Sequence, residues 1–322
     1  AVMTSGTTGI PKILFRSFES WADFFAIQNA VFGVDADSRL FVQGSLAFTG
    51  NLNLYMGQLA AGGTLIAEDV FLPGKWEQVM ARERANGIYL IPSKLLMLPR
   101  VFKGVNANIR TIISGSQSLG RKDAEVLKKI FPNTEITLYY GASELNYITY
   151  VKSADMTEER NLIGKPFPGV RVFIQDDEMY VDNAFHVENI TVPYSLKDSG
   201  RMDLQGNFYF LGRTDDIVGV RGRKVSMMKI ENALEEVAGI TEAAVVLLPK
   251  EKDADMPAEI VSAFVTVEGT DVPENLRQQL KEKLADFEIP KRVIVLEAFP
   301  KNTSGKVDKA RLKKMWIEQE PQ

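Results

Sequence analysis

The sequence predicts an α/β fold: mostly parallel sheets with a β-rich subdomain, followed by a small α+β C-terminal domain. Three observations predict it. Short apolar runs alternate with helical stretches through residues 18–138, the pattern of a sheet covered on both faces. From Ile163 onward, brief β segments separated by turn signals replace that alternation. Near Gly212 a third pattern begins, with helices and strands mixed over the last part of the chain.

Taken in order, residues 18–32 read as a helix with an aromatic face of Phe18, Trp21, Phe24, Phe25, Val31 and Phe32. Strands are expected at 39–42, 64–67, 88–91, 111–114 and 135–138, and helices at 76–85 and 121–131. The β-rich part is expected to hold strands at 170–174, 179–181, 186–191 and 207–211, with turns at Asp176-Asp177 and Gln205-Gly206-Asn207. In the C-terminal part, helix 226–238 carries an apolar face of Met227, Ile230, Leu234 and Val237. Strands at 241–248 and 258–267, a helix at 273–286, a strand at 292–297 and a helix at 308–317 follow.

Composition removes several chemistries. The 322 residues are 45% hydrophobic and 25% charged with a net charge of −4, which gives no basic surface for nucleic acid. There is no cysteine, so no disulfide framework and no thiolate zinc site. The one histidine, His186, has no nucleophile motif beside it, which argues against a Ser-His-Asp triad. No apolar run reaches the length of a membrane span; the nearest, 88–98, is broken by Pro92 and Lys94. The expected location is the cytoplasm. The chain enters a glycine-rich loop after three residues, where a full strand is expected, so the numbering is expected to start inside a longer natural chain.

Four segments carry chemistry. Thr4, Ser5, Gly6, Thr7, Thr8 and Gly9, followed by Lys12, put hydroxyls, glycines and a cation in one run, suited to phosphate oxygens but without Walker A spacing. A flexible polar turn has the same composition. Tyr139-Tyr140-Gly141-Ala142-Ser143-Glu144 follows an apolar strand, the end at which open α/β sheets bind ligands; a capped helix start is the bland alternative. Residues 212–224 are rich in charge and glycine, as a linker or a hinge would be. Pro300-Lys301-Asn302-Thr303-Ser304-Gly305-Lys306 places a lysine on a glycine-containing loop, either a solvated turn or a mobile point charge.

In order and separation these four segments resemble the adenylate-forming superfamily of acyl-CoA synthetases, nonribosomal peptide adenylation domains and firefly luciferase. Ser114-Gly115-Ser116-Gln117-Ser118-Leu119 is similar to its adenine-side Gly-Gly segment, Leu196-Lys197-Asp198-Ser199-Gly200 to its Thr-Gly-Asp motif, and Phe287-Glu288-Ile289-Pro290-Lys291 to its aromatic-x-Ile-Pro run. The resemblance implies an adenylation core over 1–213, lacking the N-terminal part of the usual large domain, and a small mobile domain over 214–322 with the catalytic lysine. It implies that residues 4–12 close over the β- and γ-phosphates. Tyr140, Gly141 and the backbone of Gly115, Ser116 and Gln117 would hold adenine, and Ser143 would bond the α-phosphate. Glu144 would bind Mg²⁺, Asp198 the ribose with Arg213 nearby, and Lys306 would bridge the substrate carboxylate and the α-phosphate. Asp215 matches the hinge and Gly222 the loop that faces the thiol tunnel. The implied reaction uses ATP to make an acyl-adenylate and passes the acyl group to coenzyme A. A carrier-protein phosphopantetheine is the alternative acceptor, and a non-catalytic nucleotide-binding fragment the alternative class.

The sequence departs from the family at Lys197, where glycine is usual beside Asp198, and at Ser143, where threonine is usual. Amino-acid-activating relatives carry an aspartate for the α-ammonium in a stretch that here reads Leu46-Ala47-Phe48-Thr49-Gly50-Asn51. A buried ammonium without a counter-charge is costly, so a fatty or aryl acid is expected, with Phe48, Asn51 and Ser114 as pocket candidates.

Overall fold

The computed structural model describes residues 1–3, 13–46, 49–214, 217–220, 223–250, 259–301 and 307–318. The chain divides into two compact units: Ala1–Leu196 with Gly200–Phe210, and Lys197–Ser199 with Leu211–Gln322.

The first unit opens with β1 (Val2–Met3) and β2 (Ile13–Leu14), an antiparallel pair in a sheet of their own. Then come α1 (Glu19–Phe32), β3 (Arg39–Gln43), α2 (Thr49–Ala60), β4 (Thr64–Glu68), α3 (Pro73–Arg82) and β5 (Gly87–Tyr89). Two short helices, α4 (Pro92–Leu95) and α5 (Leu98–Val101), lead to β6 (Thr111–Gly115), α6 (Arg121–Ile130) and β7 (Glu135–Ala142). The strands β8 (Asn146–Lys152), β9 (Leu162–Pro166), β10 (Arg171–Gln175) and β11 (Glu178–Asp182) follow, and then β12 (Tyr194–Met202) and β13 (Phe208–Arg213), whose residues 197–199 and 211–213 are assigned to the second unit. Among the described residues the large sheet runs β10-β11-β12-β13-β9-β8-β7-β6-β5-β3-β4.

Its β4, β3, β5, β6 and β7 are parallel. All five residues of β6 are buried, as a strand covered on both faces requires. On one face α1 and α2 bring Phe24, Phe32 and Leu54 onto Leu40, Val42, Tyr89, Ile113 and Tyr139. On the other, Trp76 and Met80 of α3 and Leu127 of α6 pack on Phe41, Ile88, Ile112 and Ile136. Beyond β7 the pairing turns antiparallel, β7 with β8, β8 with β9, and β9 with β13. The β-rich part thus continues the same sheet.

Two expectations for this unit need correction. Residues 186–191 form no strand; the chain turns at 188–189, with Asn189 at φ 64, and the β-branched Ile190 and Thr191 that suggested a strand lie just past that turn. Phe18 does not join the buried face of α1 but is 60% exposed, because the helix starts one residue later.

In the second unit β14 (Ile217–Val220) and β15 (Arg223–Ser226) form an antiparallel pair. Helix α7 (Met227–Glu235) follows, with Ser226 Oγ accepting the Lys229 amide at 3.2 Å as its N-cap. Next are β16 (Ile240–Pro249), β17 (Glu259–Val267), α8 (Leu276–Lys281), β18 (Arg292–Val295) and α9 (Lys309–Glu318). Strand β17 is antiparallel to β16 and parallel to β18. Glu288 of the Phe-Glu-Ile-Pro run holds neighbouring elements together. Its two carboxylate oxygens accept the Lys229 ammonium at 2.8 and 2.7 Å, and Oε2 also accepts the Ala285 amide. The run therefore ties the segment after α8 to α7.

Candidate functional site

The Tyr-Gly-Ala-Ser-Glu run ends β7, turns through residues 143–145 and returns antiparallel as β8. It starts a hairpin rather than a helix. A β-carbon on Gly141 would stand 2.6 Å from the Asn146 carbonyl oxygen, so only glycine lets the two strands close here. Asn146 holds the left-handed φ of 67, which asparagine tolerates. Its Oδ1 accepts the Asn53 side-chain amide at 2.6 Å and the Tyr147 amide at 2.9 Å. In the turn, the Ser143 hydroxyl donates to Thr49 Oγ1 at 3.0 Å, at the start of α2. The Glu144 carbonyl accepts the Val187 amide at 2.9 Å. Its half-buried carboxylate has no ion pair or hydrogen bond among the described residues.

The end of β6 lies beside this turn, paired with β7 in parallel. A β-carbon on Gly115 would enter the Tyr139 ring at 2.4 Å. Ser116 is left-handed at φ 70, and Gln117 Oε1 accepts the Ser93 amide at 2.9 Å. Ser114 is fully buried and donates its hydroxyl to the Leu90 carbonyl at 2.7 Å. The Asn51 amide donates to the Ser45 carbonyl at 2.9 Å. Tyr140 is half-buried against Phe210, ring centroids 5.8 Å apart. Within the first unit, then, the ends of β6 and β7 and the first turn of α2 converge.

Asp198 and Arg213 belong to the second unit. Arg213 Nε lies 3.4 Å from Asp198 Oδ1, and Asp198 is buried. Lys197 adopts φ 62 while its carbonyl accepts the Thr214 hydroxyl at 2.6 Å. A left-handed L-residue costs about 1–2 kcal/mol, partly offset by the backbone freedom glycine loses on folding. Lys197→Gly is therefore expected to stabilise the protein by about 0.5–1 kcal/mol, read as a rise in the denaturant midpoint. No gain would show that the lysine side chain compensates the strain.

Thr4, Ser5, Gly6, Thr7, Thr8, Gly9, Lys12, Phe48, Asp215, Gly222 and Lys306 lie outside the described residues. Two of these segments are nonetheless bracketed. Met3 pairs with Ile13 on either side of 4–12, and Lys301 pairs with Val307 on either side of 302–306.

Sequence reasoning missed Thr49, Tyr89 and the role of Tyr139. The Tyr89 and Tyr139 hydroxyls are 2.7 Å apart. Burial pushes Tyr89 and Tyr147 well above the ordinary tyrosine value and Tyr139 from 10.0 up to about 12. A raised folded-state value means that the stability contributed is complete below the unfolded value and lost as pH rises through the folded one. Melting temperature is accordingly expected to fall between pH 10.0 and about 12, and a Tyr139→Phe variant to lose part of that dependence. Lys94 was also missed: burial lowers its ammonium, which bonds the Gln43 side chain. No cluster of three His, Cys, Asp or Glu side chains suited to a metal occurs among the described residues. A lone carboxylate such as Glu144 instead suits Mg²⁺ that arrives with phosphates and keeps its waters.

The AMP-binding enzyme family matches residues 2–184, more than half of the chain. The chain belongs to that family. The C-terminal domain of AMP-binding enzymes matches residues 229–306. This AMP-binding enzyme is thus a member of the adenylate-forming superfamily, and its curated relatives support the class of AMP-forming acid–thiol ligase. It is 27% identical over 339 residues to the uncharacterized acyl–CoA ligase YhfT of Bacillus subtilis, covering 99% of this chain and 68% of that protein. It is also 27% identical over 347 residues to a linear gramicidin synthase of Brevibacillus parabrevis, covering 97% of this chain but 7% of that protein. O-succinylbenzoate coenzyme A synthetase of Bacillus subtilis, solved with ATP and magnesium, shares the fold with a TM-score of 0.83 at 20% identity, over 97% of this chain and 69% of that one. No described helix is long and apolar enough to cross a membrane.

Proposed function

We propose that this protein uses ATP to convert a carboxylic acid into its acyl-adenylate and then transfers the acyl group to the thiol of coenzyme A. The observation that supports this most is the β7–β8 turn. There Ser143 is bonded to Thr49, and Glu144 keeps a carboxylate without a partner among the described residues, at the C-terminal end of the parallel strands. In the first step a carboxylate oxygen forms a bond to the α-phosphorus and the bond to the β-phosphate oxygen breaks, releasing pyrophosphate. In the second, a thiol sulfur bonds the acyl carbon, its proton is lost, and AMP leaves.

The first step joins two anions, so catalysis depends on positioning and charge neutralisation. Ser143 would orient the α-phosphate and Tyr140 would lie against adenine. Glu144 would hold Mg²⁺, which supplies charge to offset that of the phosphates. Asp198 would accept the ribose hydroxyls, steadied by Arg213 at 3.4 Å. Gly115, Ser116, Gln117 and Gly141 would present backbone to the base. Residues 4–12 would close over the phosphates, and Lys306 would reach the reacting oxygens. The acid lacks an α-ammonium on this reading, because the 46–51 stretch has no carboxylate. A carrier-protein phosphopantetheine is a second acceptor to test, motivated by the equal identity to the gramicidin synthase.

The decisive assay is acid-dependent ATP–pyrophosphate exchange, followed by acyl transfer to coenzyme A or to a carrier protein. AMP and pyrophosphate are the expected products; ADP and phosphate would overturn adenylation. Asp198→Ala is expected to weaken ATP binding more than acid binding, since charge-assisted bonds to the ribose are worth about 1.5–3 kcal/mol each. Unchanged nucleotide affinity by titration calorimetry would remove Asp198 from the ribose site.

A further inference from the structure

The space under the first turn of α2 is occupied by buried side chains in a way that bears on which acid can enter. Thr49 accepts the Ser143 hydroxyl, so this turn borders the place where the acid carboxylate would meet the α-phosphate. One residue on, Gly50 faces two phenols. A β-carbon there would stand 3.0 Å from the Tyr89 hydroxyl and 3.1 Å from that of Tyr139. The two rings stack with 6° between their planes, and their hydroxyls are bonded at 2.7 Å. They are 4% and 7% exposed. Tyr139 also occupies the space a side chain on Gly115 would need, and Tyr147 closes its far side with ring centroids 4.4 Å apart.

We infer that Tyr89 and Tyr139 form a rigid floor beneath the acid site and restrict this enzyme to short-chain carboxylic acids. This rests on the adenylation reading above and narrows it. An acid held by its carboxylate near Ser143 can send its tail between α2 and strands β5, β6 and β7. There it meets the paired hydroxyls directly under Gly50. The rings cannot swing aside: each is packed on the other, and Tyr139 is also held between Gly115, Tyr147 and Phe32. Longer alkyl tails and aryl rings would have to displace close-packed aromatic side chains, which cores resist.

The test is ATP–pyrophosphate exchange with acetate, butyrate, hexanoate, octanoate and benzoate, on the unmodified protein and on Tyr139→Ala and Tyr89→Ala. The unmodified protein should prefer the short acids, losing roughly tenfold or more per methylene once the pocket is full. Each variant should move the optimum to a longer acid. An unmodified protein that favours octanoate or benzoate, or variants with an unmoved optimum, would overturn the floor while leaving adenylation standing. Exchange with none of these or other carboxylic acids would overturn the adenylation reading itself, and the floor with it. Should either variant fail to fold, the length profile of the unmodified protein and the remaining variant still decide.

Discussion

Replacing Lys306 with alanine is expected to slow acyl-adenylate formation by about 10²–10³, the usual cost of one transition-state donor, and to spare thioester formation from supplied acyl-adenylate. The Ser-Gly-Lys sequence motivates this; of the described residues on either side of it, Lys301 bridges Val307 and the Asp308 amide donates to the Pro300 carbonyl at 2.8 Å. On the proposed reading, the Lys306 ammonium is needed while charge builds on the α-phosphate and on departing pyrophosphate. Once the adenylate exists, that charge has left. Gly222→Trp is expected to do the reverse: pyrophosphate exchange continues, and the thiol's approach is blocked by the indole. Both half-reactions should be assayed in both variants, with purified acyl-adenylate for the second. Equal loss of both steps in Lys306→Ala, or loss of adenylation first in Gly222→Trp, would rule out one pocket serving two steps in turn.

Trp76→Ala is expected to destabilise the first unit by about 3–5 kcal/mol, the range for removing a large aromatic from a core. Trp76 is 1% exposed, with its ring 5.5 Å from Phe41 of β3 and 5.5 Å from Phe71. It joins α3 to β3, the strand beside the sheet edge. Its indole nitrogen has no hydrogen-bond partner among the described residues, so Trp76→Phe should cost distinctly less, keeping an aromatic ring and deleting an unpaired polar group. Chemical denaturation of both variants measures this. Equal losses would mean that the indole shape, rather than aromatic burial, sets the stability here.

The parallel half of the sheet was legible because its strands are buried on both faces and read as uninterrupted apolar runs, as in Leu40-Phe41-Val42 and Ile112-Ile113. Helix α2 was not, because Gly50, Asn51 and Asn53 are poor helix formers; Gly50 makes way for the tyrosine hydroxyls, and Asn53 bonds Asn146. Strand β12 was hidden by Ser195, Lys197 and Ser199, a polar pattern held in a strand by its neighbours. The β14–β15 pair lies in a stretch whose charges and glycines suggest a linker. Within the site, motif order pointed to residues 114–117 and 140–144. The positioning roles of Thr49 and Tyr139 emerge only from contacts across the fold, although both residues stand in stretches that the sequence singles out. Lys197 shows the converse: it stands where the resemblance leads one to expect glycine, and it has the left-handed backbone that explains the expectation.

Up to Tyr139, the strand that leads into the Glu144 turn has neighbours on both sides, β6 and β8, inside the large sheet, whereas Tyr140–Ala142 pair with β8 alone. Amides paired on both sides cannot exchange with solvent hydrogen by fraying at an edge; they must wait for the sheet itself to part. In deuterated water the amides of residues 136–139, paired on both sides, should therefore be among the last to gain mass, with the three-residue turn at 143–145 labelling sooner. On the proposed reading, the Glu144 carboxylate follows directly on this firmly paired strand, and a magnesium–nucleotide complex would meet it already in place.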